Sequence, residues 1–191
     1  MNCVIEENFK EAMEVLDKFS KPENFASIKN AAEIMISALK NGNTIYSCGN
    51  GGSLCDATHF AEELTARFRK NRKALAAVAI NDPAFLTCVA NDFDYNQVYS
   101  RFLEACACEG DVLLAISTSG NSDNICQACL TAKAMGAKVI SLTGKDGGEL
   151  SKISDVDIRA PKTPYSDRAQ EIHIKVIHTL VQLIEIGLGL A

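Results

Sequence analysis

The stretch Val112-Leu113-Leu114-Ala115-Ile116-Ser117-Thr118-Ser119-Gly120-Asn121-Ser122 decides the fold. Its first five residues form a short, unbroken apolar run, as expected of a strand buried on both faces of a parallel sheet. A helical pattern follows from Ser122, and the first turn of any helix leaves backbone N–H groups without intrahelical partners. Those donors, the helix dipole and the hydroxyls of Ser117, Thr118, Ser119 and Ser122 make a cradle for an anion such as a phosphate monoester. Gly120 lets the backbone turn and come close to the ligand. A plain turn with Ser122 as N-cap explains one hydroxyl and leaves the others without a role.

The same grammar of strand, glycine and hydroxyl turn, then helix occurs earlier. Thr44–Cys48 reads as a strand, Gly49-Asn50-Gly51-Gly52-Ser53 as the turn, and 53–69 as the helix. Ser53 with Asp56 fits a capping box. Three glycines in four positions exceed what a cap needs and indicate close approach of a ligand to the backbone. Further strands are expected at 76–80, 138–142 and 156–159, with helices at 84–92, 95–107, 122–135, 147–153 and 167–188. Two helices, 4–19 and 26–40, precede the first strand. The fold class is therefore α/β: a five-stranded parallel sheet flanked by helices, with an N-terminal helical pair (4–41) added to one domain spanning 1–191. Ligands of such sheets bind beyond the carboxyl ends of the strands, where both turns lie. The pattern Gly49-Asn50-Gly51-Gly52 is not G-x-G-x-x-G, which argues against a dinucleotide site.

The 191 residues carry a net charge of −5, with 47% apolar and 23% charged residues. This is the composition of a soluble globular chain with no general attraction for nucleic acid or anionic membranes. No signal-peptide pattern opens the sequence and no window is apolar enough to span a membrane, so a cytoplasmic location is expected. The eight cysteines then read as reduced, buried thiols. Cys106-x-Cys108 and Cys126-x-x-Cys129 fall in helix-patterned segments, not in the tight knuckles of a zinc site. The segment 167–188 is apolar nearly all round, which calls for burial against its own sheet and against another subunit.

All three histidines lie on two helices: His59, four residues before Glu63, and His173 and His178 on the last helix with Gln170. Imidazole and carboxylate at i, i+4 share a helix face and can bind a divalent ion or act as an acid and base pair. A helical ion pair accounts equally for His59 and Glu63, and a capping box for Asp167 and Gln170. The basic run 67–73 complements a helix C-terminus and is expected to stay solvated apart from Arg67.

Ser47–Ser53, His59–Thr65 with Arg67, Asn91-Asp92-Phe93, Ser117–Ser122, Leu142–Gly148 and Asp167–His178, in order along the chain, resemble the sedoheptulose 7-phosphate (phosphoheptose) isomerases of the sugar isomerase (SIS) fold. The resemblance implies conversion of a ketose to an aldose phosphate through an enediol, at the start of heptose synthesis for bacterial surface polysaccharides. It implies Glu63 and His178 as the acid and base groups, and Ser117, Thr118, Ser119 and Ser122 as the phosphate grip. Asn50, Gly51, Gly52, Ser53, Glu63, Asn91, Asp92, Asp167 and Gln170 would line the sugar, with Arg67 a further polar contact. It also implies one zinc ion on His59, Glu63, Gln170 and His178, and a homotetramer with active sites between subunits. Gln170 and His178 stand about 12 Å apart along a helix axis. One ion meets both only if the side chains reach towards each other or come from different subunits. The rival expectation is a regulatory SIS protein that keeps the sugar-phosphate pocket and binds a replication initiator. Such a module has no chemical reason to keep His59, Glu63, Gln170 and His178 together. An isomerase for another ketose phosphate would share the phosphate grip and differ in pocket length.

Overall fold

A computed structural model describes Met1 to Ala191. Five parallel strands form one sheet: β1 (Ile45–Gly49), β2 (Ala77–Ala79), β3 (Val112–Ser117), β4 (Lys138–Thr143) and β5 (Val156–Arg159). Their spatial order is β2-β1-β3-β4-β5. The chain order therefore reverses between β1 and β3, and the carboxyl ends of those two strands open the crevice in which ligands of such sheets bind. Both glycine and hydroxyl turns follow these two strands. The register pairs Gly49 with Ile116, so the turns start side by side.

Eight helices cover the sheet: α1 (Asn2–Phe19), α2 (Pro22–Lys40), α3 (Gly52–Thr65), α4 (Pro83–Asp92), α5 (Ser100–Cys106), α6 (Asp123–Ala134), α7 (Leu150–Ile153) and α8 (Asp167–Gly187). Side chains alternate across β3. Val112, Leu114 and Ile116 join the core beneath α1, α2, α3 and α8, whereas Leu113 and Ala115 join the one beneath α4 to α7. This is why the strand reads as an unbroken apolar run. Arg168 ties α1 to α8, binding Glu11 and Asn8 on α1 and Glu171 on its own helix.

Several local expectations change. Helix α3 stops at Thr65 and not at 69, because Ala66 leaves helical geometry and the chain turns there. The segment 95–107 is split, since Asp94 accepts from the Asn96 N–H and starts a short 3₁₀ turn over Tyr95–Gln97 ahead of α5. Only Cys48 and Cys129 are buried; five of the eight thiols are exposed. Helix α8 is covered largely by its own chain, through α2 and α3. It is α1 that leaves an apolar stripe in the open, at Val4, Ile5, Phe9, Met13 and Leu16.

Candidate active site

The turn after β3 is organised around hydroxyls. Ser117 Oγ lies 2.9 Å from Ser122 Oγ and 3.3 Å from Ser119 Oγ, which also accepts from the Asn121 N–H. The Ser122 side chain makes no capping bond to α6 although the residue stands at the N-cap. Its hydroxyl is turned into the cluster, so the simple-cap alternative fails. Gly120 has φ +68°, and a Cβ there would overlap the Gly147 carbonyl oxygen. The turn is braced from behind, as the Leu150 N–H donates to Gly120 O and the Glu149 N–H to Asn121 Oδ1, each at 3.0 Å. Hydroxyls and the free N–H groups of α6 thus converge at its positive end.

The turn after β1 is held by a reciprocal amide pair: Asn50 and Asn124 exchange hydrogen bonds at 2.9 Å in both directions. Tyr95 donates to Asn50 Oδ1 at 3.0 Å, and Tyr99 donates to the Gly49 carbonyl. Asn124, Tyr95 and Tyr99 were not singled out in the sequence, because nothing in their local spacing marks contacts across 45 to 74 residues. Exposed Asn91 and Asp92 end α4 three residues before Tyr95, and Asn91 donates to Asp92 Oδ1 at 2.7 Å. The Ser53 capping box does not form. Gly51, at φ +56°, is the N-cap, Ser53 is buried, and one oxygen of Asp56 is buried without a partner. Burial pushes the Asp56 carboxyl up to about 6, against the opposing charge of His59.

Helices α3 and α8 run side by side and meet at successive levels. At the lowest, Gly52 lies so close to the Gln170 amide that a Cβ would overlap it. Gln170 does not cap α8: Ser166 is the N-cap, and Asp167 accepts from the next N–H. Gly52, Asp56, Asp167 and Gln170 line one open cavity of about 380 Å³. About two turns higher, His59 Nε2 lies 3.2 Å from Glu63 Oε1 and 3.1 Å from His178 Nε2. Ligand atoms of all three residues fall within 4.8 Å of one another. Two imidazole nitrogens and a carboxylate converging so closely suit a tetrahedral divalent ion with one open position. Gln170 stands at the lower level, beside Gly52, and Arg67 is exposed just beyond α3. His173 faces the other way: its Nε2 donates to the Thr143 carbonyl at 2.8 Å, and burial lowers its pKa. It anchors α8 to the end of β4 and takes no part in the cluster.

The SIS domain family model matches residues 7–144. A curated phosphoheptose isomerase of Pectobacterium atrosepticum is 57% identical over 183 residues, 95% of each chain. The chain belongs to the phosphoheptose isomerase family. Solved phosphoheptose isomerases agree in fold. The one from Neisseria gonorrhoeae superposes with a TM-score of 0.90 at 37% identity, covering 97% of this chain and 98% of that one. The one from Francisella tularensis gives 0.88 at 33%, covering 95% and 96%.

Proposed function

We propose that this chain isomerises sedoheptulose 7-phosphate to D-glycero-D-manno-heptose 7-phosphate through an enediol. The observation that carries the reading is the meeting of Glu63 and His178, a carboxylate and an imidazole, from two helices beside a sheet whose switch point holds a hydroxyl-lined anion cradle. Ser117, Thr118, Ser119 and Ser122 hold the phosphate. Asn50, Gly51, Gly52, Ser53, Asn91, Asp92, Asp167 and Gln170 line the sugar, and Arg67 adds a polar contact. One of Glu63 and His178 takes a proton from the carbon beside the carbonyl and delivers one to the former carbonyl carbon. The other gives a proton to the carbonyl oxygen and takes one from the neighbouring hydroxyl, so the enediol closes to the aldehyde with no net change of protons.

A zinc ion fits the converging donors of His59, Glu63 and His178; held there it would stabilise the charged form of Glu63 and so weaken it as a base. When bound, it would supply a positive charge that polarises the sugar's oxygens. Gln170, placed beside Gly52, reaches such an ion only by moving or from another subunit.

We further propose a homotetramer whose active sites lie between subunits, built on one SIS domain over 1–191 with helices 4–41 contributing to the contact. Within one chain, Glu63 stands eleven residues along α3 from Gly52, about 16 Å of helix axis. A phosphate in the cradle and a reacting carbon at Glu63 of the same chain are thus widely separated. The apolar stripe on α1 borders a cavity of about 380 Å³ that includes His178, a surface suited to a second copy. The eight unpaired cysteines support a cytoplasmic location. No helix is long and apolar enough to cross a membrane. The product's place is the first step of heptose supply for a surface polysaccharide. The regulatory SIS reading is not favoured, given relatives that carry the isomerase name at this identity. Running the reaction in D₂O tests the chemistry: deuterium on the carbon next to the new aldehyde is expected as the proton on the base exchanges with solvent, whereas complete transfer of the substrate's own hydrogen in every turnover, unchanged by pH, would count against the enediol.

A further inference from the structure

The buried ion pair between Arg72 and Glu185 has no part in the chemistry described so far. Their side chains are 2% and 4% exposed, with Arg72 Nε 2.8 Å from Glu185 Oε1. The remaining guanidinium N–H groups point at the carboxyl end of α3. Nη2 donates to the Glu63 carbonyl at 2.6 Å, and Nη1 to Leu64 at 2.8 Å, Lys73 at 3.1 Å and Ala66 at 3.3 Å. Arg72 complements the helix terminus as expected of the basic run, where unsatisfied carbonyls and the dipole favour a cation, but it is buried there and not solvated.

One end of this pair, Glu185, sits on α8; the other, Arg72, lies in the segment beyond α3 and folds back onto the last carbonyls of that helix. Arg72 grips the backbone of Glu63 itself. Glu185 lies seven residues, two helical turns, beyond His178, so both point from one face of α8. The guanidinium also closes the 66–73 turn that carries Phe68, whose ring lies 5.7 Å from the His178 ring. A buried ion pair adds little net stability compared with a well-packed apolar pair of similar volume, but it fixes geometry where its forked donors meet fixed acceptors. We propose that Arg72 and Glu185 act as positioning residues that set the spacing between His59 and Glu63 on α3 and His178 on α8. The proposal rests on reading those three side chains as the reaction centre.

Two variants of the full chain test it. Arg72→Met with Glu185→Leu fills the space and leaves no orphaned charge, so folding is retained. Arg72→Lys keeps the charge and loses the fork. With only three histidines in the chain, ring-proton NMR of the metal-free protein reads the spacing directly. The His59 and His178 rings, 5.3 Å apart, give a cross-relaxation peak in the parent, which is expected to be lost in both variants. Co²⁺ affinity, read by optical titration, is expected to fall about tenfold. The kcat is expected to fall about tenfold with KM within twofold, since the phosphate cradle is untouched. A double variant that keeps the cross-peak and the parent Co²⁺ affinity overturns the proposal. If the parent chain shows no isomerase turnover, the functional reading fails, while the cross-peak still decides the role of the pair.

Discussion

Replacing Gly120 by Ala strikes the phosphate cradle without removing a hydroxyl. The residue sits at φ +68°, where an L side chain costs about 1–2 kcal/mol. The new Cβ would also overlap a backbone oxygen, that of Gly147, which cannot rotate away as a side chain could. Relief requires the 147–150 segment to withdraw, breaking the bonds from the Leu150 N–H to Gly120 O and from the Glu149 N–H to Asn121 Oδ1. Each of these contributes about 1 kcal/mol, so the variant should lose about 3–4 kcal/mol of stability. Urea unfolding at one fixed protein concentration measures that loss. Because Ser119 and Ser122 flank the distorted turn, KM for the sugar phosphate should rise at least about tenfold while kcat changes little. A variant within about 0.5 kcal/mol of the parent and with unchanged KM would refute the reasoning, since the turn would then tolerate a side chain that geometry forbids.

Glu63→Gln keeps the shape of the side chain and removes its basicity, so turnover should drop by about 10²-fold or more while size-exclusion behaviour is unchanged. Substantial residual activity would exclude Glu63 from proton transfer. Ser119→Ala removes one donor to the ligand's charged oxygens, worth about 1.5–3 kcal/mol; KM and the inhibition constant of inorganic phosphate should rise together, and a rise in neither would place the phosphate elsewhere. His173 is held neutral by burial, with its pKa lowered despite the Thr143 carbonyl and the Asp157 charge. Below about pH 6.5 the unfolded chain binds a proton that the folded chain refuses. The stability this gives is complete above that value and is lost as pH falls towards the lowered folded pKa. The stability gap between parent and His173→Gln should therefore be wide at pH 8 and narrow at pH 5. A gap independent of pH would contradict the assignment.

Much of the site could be read from the sequence because its signals are local. The apolar run of β3, the hydroxyls behind it and the i, i+4 spacing of His59 and Glu63 all lie within a few residues of one another. The errors arose where a distant partner decides the outcome. Residues 66–69 read as the end of the helix, yet α3 ends at Thr65, where Arg72 folds back onto its last carbonyls and pairs with Glu185 across 113 residues. Ser53 and Asp56 have capping-box spacing, but the left-handed Gly51 takes the cap and burial claims Ser53. Helix α8 reads as apolar nearly all round, and the sequence does not reveal that α2 and α3 both pack on it. Asn124, which holds Asn50 in place, belongs to a helix whose local pattern gives no hint of the β1 turn.

The central claim is that Glu63 and His178 move protons on a sugar phosphate gripped by the serine turn. The most direct measurement is turnover of sedoheptulose 7-phosphate by the purified chain and by Glu63→Gln and His178→Gln, before and after chelation and with zinc restored. The account predicts aldose phosphate from the parent and almost none from either variant. No turnover by the parent under any metal condition, with sugar-phosphate binding intact, would contradict it and point to a binding module built on the same fold.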